Sequence, residues 1–106
     1  MEKRVVVTGL GVVSPVGNNV DAMWDSIKNG RHGIAEITRF DLEGHKVTLA
    51  AEVKDFDFGD KRAAKRLDIA DQYALTAARE AISDSGIVSG ENVDPDRFGI
   101  YGGTGI

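Results

Sequence analysis

The chain has 106 residues, 42% of them hydrophobic and 28% charged, with a formal net charge of −4. This length suits one small domain or part of a larger one, the composition excludes a disordered chain, and the acidic balance gives no general reason to bind nucleic acid or an anionic membrane. There is no cysteine, which excludes disulfides, thiolate metal sites and cysteine nucleophiles within these residues.

In chain order, "RVVVT" at 4–8 is an unbroken β-branched run, the pattern of a strand buried on both faces of a parallel sheet. The glycine-rich stretch "TGLGVVSPVG" ends it. Next, Val20, Met23, Trp24 and Ile27 fall on one face of an amphipathic helix, with Asn19 placed to cap its start and Gly30 following its end. "GRHGIAEITRFDLEGHK" reads as loop, and "VTLAAEV" at 47–53 as a second strand. "KDFDFGD" is a turn-rich link, and "KRAAKRLD" a short helix. Asp68 then caps a longer helix, "IADQYALTAAREAISDS", which Gly86 stops.

On that helix Gln72, Thr76, Arg79, Glu80 and Ser83 form one polar arc, while the rest is mostly Ala, Ile, Leu or Tyr, so it is expected to pack on more than one side. A turn at Asp94, Pro95 and Asp96 leads into a last strand, "FGIYG", followed by "GTGI". The order β, α, β, α, α, β predicts an α/β layer structure with a mostly parallel sheet. Two or three strands make a thin core, so the chain is expected to be a fragment.

Several local patterns carry candidate chemistry. "TGLGVVSPVG" has Gly9 and Gly11 where a dinucleotide fingerprint needs them, but Ser14 stands at the sixth position and Pro15 follows, so it reads as a structural turn without a ligand. His32 and His45 each lie in a polar loop without a second ligand at metal spacing, and read as surface residues. Asp55, Asp57 and Asp60 imitate a calcium loop only in part, since Phe58 stands at the third oxygen position. No metal or cofactor is expected. Lys61, Arg62, Lys65 and Arg66 are different: on a helix they span an arc of about 140°, opposite Ala63, Ala64 and Leu67, and give an acidic chain one positive face. That face suits either solvent or an acidic partner.

Together, "RVVVTGLGVVSPVGNNVDAMWDSIKNGRHGI", "AAEVKDFDF", "KRAAKRLDIADQYALTAAREAISDSG" and "RFGIYGGTGI" resemble the start of a β-ketoacyl-acyl carrier protein synthase, the type II condensing enzyme of fatty acid synthesis. The resemblance runs through essentially all 106 residues, and polyketide ketosynthases share the opening. It implies part of the N-terminal half of a thiolase-like αβαβα fold, an incomplete synthase domain over 1–106, and a cytoplasmic, homodimeric acyltransferase. The parent enzyme would use no metal or organic cofactor.

The family's nucleophilic cysteine and its two histidines match nothing in these residues, so no catalytic residue is assigned and the chain alone is expected to be inactive. The resemblance carries two roles over. Lys61, Arg62, Lys65 and Arg66 correspond to a segment that docks acyl carrier protein, in its acyl and malonyl forms, with Lys61 the weakest match. Ile106 corresponds to an isoleucine lining the acyl pocket. The rival readings are a free-standing carrier-protein-binding module and a small nucleotide-binding α/β domain.

Overall fold

A computed structural model describes residues 1–105. Four helical segments and two short strands are arranged as α1 (Val20–Lys28), β1 (Ile34–Glu36), β2 (Leu49–Ala51), α2 (Lys61–Ala64), α3 (Ile69–Ser85) and a 3-10 turn at Pro95–Arg97.

The helix boundaries follow local chemistry. Asn19 accepts the Ala22 amide at 2.8 Å and starts α1. At the other end, Asn29 is the C-cap and the Gly30 amide reaches the Ile27 carbonyl at 3.2 Å. Asp60 caps α2 by accepting the amides of Arg62 and Ala63, each at 3.0 Å. The short basic helix is therefore shorter than "KRAAKRLD": after Ala64 the chain tightens into turns, with Arg66 donating to Ala63 and Leu67 to Ala64. Asp68 stands at the N-cap of α3 with an extended backbone but makes no side-chain cap bond, and Gly86 ends the helix at φ 70°, a left-handed conformation that costs a residue without Cβ little.

The sheet departs from expectation. β1 pairs with β2 antiparallel, Ile34 opposite Ala51 and Glu36 opposite Leu49, so the ladder among the described residues is an antiparallel ribbon rather than a mostly parallel sheet. β1 arises within the stretch read as loop, because it lies close enough in sequence to β2 for the two to pair through a local return. Only the centre of 47–53 is strand, for β1 offers three partners. Residues 4–8 and 98–102 form no strand. Their apolar pattern suits burial in a sheet, but a strand needs a neighbour for its amides and carbonyls, and no described segment pairs with either.

Instead, α3 is the spine against which the glycine-rich stretch lies. A Cβ on Gly9 would collide with the backbone at Ala81 and Ser85, and one on Gly11 with the carbonyl of Ala77. The glycines are thus required by close approach to a helix, and neither takes a positive φ. Gly17 is pressed in the same way onto the first turns of α1. Two aromatic contacts tie the "DFDF" link to α3: Phe56 meets Tyr73 edge-on at 4.8 Å, and the Arg79 guanidinium lies 4.9 Å from the centre of the Phe58 ring.

Among the described residues no hydrophobic side chain is buried, and the buried residue is Ser26, whose hydroxyl donates to the Val16 carbonyl at 2.7 Å. The apolar face of α1 is only half covered, leaving Trp24 and Ile27 exposed. Leu75 and Ile82 on α3 are exposed likewise.

Candidate functional site

The four basic residues occupy α2 and the turn after it, and all four are exposed, whereas Ala63, Ala64 and Leu67 are half-buried. Among the described residues none of the four side chains pairs with a carboxylate; the ion pair present is Arg31 with Asp25 at 2.7 Å, elsewhere on the surface. The positive face is therefore uncompensated. It is held from behind by Gln72 of α3, whose side-chain amide donates to the carbonyls of Ala64 and Leu67, both at 3.1 Å. These are C-terminal carbonyls of the basic turn, and a short helix of this kind needs such external partners to persist.

The face also has relief. Asp60, Arg62, Ala63, Arg66 and Leu67 line an open depression of about 330 Å³. Arg62 and Arg66 border it one turn apart, with Ala63 and Leu67 as its apolar part. Sequence periodicity sets Ala63 and Leu67 opposite the charges, yet two of the arginines share an edge with them. The repeated pairs Arg62–Ala63 and Arg66–Leu67 are the signal that marks this edge.

The other candidates resolve into structural roles. Glu80 places its carboxylate at the start of α1, accepting the Val20 amide at 3.0 Å and the Val12 amide at 3.0 Å. An anion at this helix terminus is thus supplied by the protein itself, which leaves the glycine-rich stretch without a phosphate cradle. Glu80 reads as part of a polar helix arc, and only the fold shows that it anchors this stretch together with Asp84, which accepts the Leu10 amide at 3.0 Å. The His32 Nδ1 accepts the Ile34 amide at 3.2 Å, and His45 lies against Phe40 with ring centres 5.3 Å apart. Asp57 accepts the Gly59 amide at 2.8 Å and Asp60 caps α2, so two of the three aspartates serve as turn residues. Ile106 lies outside the described residues.

A further polar group closes the ribbon. Thr38 donates from its hydroxyl to Glu52 at 2.9 Å and from its amide at 3.2 Å, and these bonds, the hydroxyl's first, lower the carboxyl's pKa from its ordinary value; the backbone and charge of Arg39 add to the effect. Arg39 in turn donates to the Tyr73 hydroxyl at 2.8 Å, tying the ribbon to α3.

The arrangement is shared with a solved protein described as "The ishigamide ketosynthase/chain length factor". The two align with a TM-score of 0.63 and 38% identity, over 78% of this chain and 21% of the other. The architecture is therefore that of a ketosynthase's thiolase-like fold. The profile of the family "Beta-ketoacyl synthase, N-terminal domain" matches residues 2–106, and the chain belongs to that family.

Among curated relatives, the "3-oxoacyl-[acyl-carrier-protein] synthase 2" of Staphylococcus aureus strain COL is 47% identical over 98% of this chain. The protein of the same name from Synechocystis sp. is 44% identical over 99% of it. The chain spans about a quarter of the length of these relatives, 26% of each.

Proposed function

We propose that residues 1–106 are an incomplete N-terminal domain of a type II β-ketoacyl-acyl carrier protein synthase of fatty acid synthesis, a cytoplasmic homodimer when whole, and that α2 with its following turn docks the carrier. The observation that carries this reading is similarity along 98–99% of this chain to synthases named for acyl carrier protein, combined with an exposed basic face that makes no ion pair among the described residues. In the parent reaction a cysteine thiolate attacks an acyl thioester and releases the carrier's thiol. Malonyl-carrier then loses CO2, and the resulting enolate attacks the acyl-enzyme, forming a carbon–carbon bond and expelling the cysteine thiolate.

The present residues supply neither the cysteine nor the supporting histidines, so this chain contributes scaffold and docking and by itself turns over no substrate. Lys61, Arg62, Lys65 and Arg66 act on encounter: positive charges around a docking point speed association with an acidic carrier and make it sensitive to salt. Ile106 lines the acyl pocket of the whole enzyme. The curated relatives at 44–47% identity, named "3-oxoacyl-[acyl-carrier-protein] synthase 2", favour the fatty acid synthase over the polyketide ketosynthase reading.

The test is calorimetric titration of this chain with holo-acyl carrier protein at low and high salt, for the natural sequence and for Lys65→Glu and Arg66→Glu. Binding should weaken with salt and with either reversal. Binding indifferent to both would overturn the docking assignment.

A further inference from the structure

Asn29–Gly30, at the end of α1, carries a chemistry that the docking reading leaves unused. We infer that this pair is a self-modifying site: Asn29 converts to aspartate and isoaspartate through a cyclic imide with Gly30, and the C-terminal turn of α1 gates the conversion. Asn18, Asn19, Asn29 and Asn92 are followed by Asn, Val, Gly and Val respectively. Gly30 alone among these followers has no side chain to crowd its amide nitrogen as an attacking group. Both residues of the pair are exposed, and a Cβ on Gly30 would meet nothing within 4 Å, so the ring and a water molecule have room.

The conversion needs no reactant but water. The Gly30 nitrogen gives its proton to solvent base, and its electron pair attacks Cγ of Asn29. The N–Cγ bond forms, the Cγ–Nδ2 bond breaks, and Nδ2 leaves as ammonia with a proton taken from solvent. Water then opens the imide ring. Cleavage of N–Cγ leaves aspartate, whereas cleavage between that nitrogen and the main-chain carbonyl carbon leaves isoaspartate, with the chain running through Cγ. Either way a carboxylate replaces a neutral amide.

In the native turn this attack is closed. The ring needs the Gly30 nitrogen eclipsed with Cβ about the Cα–C bond of Asn29, but at ψ 5° it is eclipsed with Asn29's own nitrogen instead. The Gly30 N–H is engaged by the Ile27 carbonyl at 3.2 Å and the Arg31 amide by the Ser26 carbonyl at 2.9 Å, with Gly30 at φ 65°, the Schellman closure of a helix. The Asn29 amide group is turned back over α1, donating to the Asp25 carbonyl at 2.7 Å and to its carboxylate at 3.2 Å. The turn must therefore fray before the ring can form, and the product cannot remake it. A carboxylate at position 29 has no hydrogen for the Asp25 carbonyl, repels the Asp25 carboxylate one turn away, and adds negative charge at a helix C-terminus. Isoaspartate also lengthens the main chain by one carbon. Conversion thus unlatches the last turn of α1, which holds Ser26 and its bond to the Val16 carbonyl.

The test incubates the natural chain, dilute and mildly alkaline, in urea and in buffer where circular dichroism shows its helices kept. Peptide mass mapping and an isoaspartate methyltransferase assay follow the products. In urea Asn29 should convert well ahead of Asn18, Asn19 and Asn92, and Gly30→Ala should suppress it there, where the fold has no part. Folding should slow the conversion by roughly tenfold or more, as for an opening that breaks the paired backbone bonds and the Asn29 side-chain bonds together. Asp25→Ala removes the carboxylate that holds both Asn29 and Arg31, so it should recover part of the rate in buffer and change nothing in urea. In Asn29→Asp, exchange of the Gly30 and Arg31 amides should quicken while the helical signal of α3 persists. Conversion of Asn29 in urea no faster than at Asn18, Asn19 and Asn92 would overturn the site. Equal rates in buffer and urea would overturn the gate, and unchanged Gly30 and Arg31 exchange in Asn29→Asp would overturn the unlatching.

Discussion

The Val12 amide donates to Glu80 at 3.0 Å, and two residues earlier the Leu10 amide donates to Asp84, four residues further along the helix, also at 3.0 Å. The spacing has a geometric cause. Two residues of extended chain advance about 6.6 Å, and four residues of α-helix rise about 6.0 Å, so an extended segment running antiparallel to a helix meets a carboxylate at every second residue. Gly9 and Gly11 make the approach possible, and Glu80 then reaches on to Val20.

Glu80→Ala leaves the Val12 and Val20 amides without that acceptor. The loss should be about 1.5–3 kcal/mol, as for hydrogen bonds to a charged group, reduced by the partial exposure of the site. Hydrogen exchange at Val12 and Val20 should accelerate together, and Glu80→Gln should fall between the two because it keeps a carbonyl acceptor. Unchanged protection of both amides in Glu80→Ala would refute the clamp.

The glycines divide into groups with different costs. Gly11→Ala drives a methyl group into the Ala77 carbonyl, where backbone cannot give way cheaply, so the strap must lift from α3. Gly86→Ala meets no atom but forces φ 70° on an alanine, at about 1–2 kcal/mol. Gly103→Ala meets nothing and should be almost silent. Thermal melts of the three variants should rank in that order, with protection of the Leu10 and Val12 amides against exchange lost only in Gly11→Ala.

Acid should loosen the ribbon where Glu52 closes it. The Glu52 carboxyl is held below its ordinary value of 4.5, first by the Thr38 hydroxyl bond, so it binds protons less readily folded than unfolded. Its contribution is then fully present above about pH 4.5 and is lost as the pH falls through the depressed folded value. An NMR titration should show the Thr38 amide shifting with a midpoint below 4.5, and Glu52→Gln should abolish that step. A midpoint at or above 4.5 would contradict the bonding seen here.

Much of this was legible in the sequence where the cause was local. Asn19 and Asp60 accept amides two or three residues away, and Gly86 needs only its own φ, so helix starts and stops could be read from the residues. The basic face was legible for the same reason. What escaped were pairings between distant segments: Leu10 with Asp84, Val12 with Glu80, and Arg39 with Tyr73. Periodicity shows Glu80 to be polar and on one arc, but cannot say that a glycine strap 68 residues earlier arrives to use it. The two missing strands teach a related lesson, since a β-branched run reports suitability for a sheet and says nothing about whether a partner is at hand.

Gln72 offers a way to disturb the proposed docking face without touching its charge. Gln72→Leu removes both bonds to the carbonyls of Ala64 and Leu67, so the basic turn should fray while Lys61, Arg62, Lys65 and Arg66 all remain. Exchange of the Arg66 and Leu67 amides should rise several-fold, and carrier binding should weaken with an unchanged dependence on salt. An equal loss of salt dependence would instead mean that Gln72 acts through the electrostatics of the face.

The exposed apolar surface makes the last prediction. The chain presents 9071 Å² to solvent, where a folded monomer of this mass presents roughly 5,800 Å². Its radius of gyration is 17.5 Å against about 13 Å for a compact chain of this length. Val5, Val7, Ile100 and Tyr101 are each more than three-quarters exposed, on extended segments whose unpaired edges can template further strands. Taken alone, the chain should therefore bind a hydrophobic dye and self-associate with rising concentration. Val6→Lys with Ile100→Lys should suppress that association in sedimentation velocity while the helical signal of α3 persists, because neither residue belongs to α3. A sharp monomer boundary and no dye binding for the natural sequence would show that these segments find cover within the chain itself.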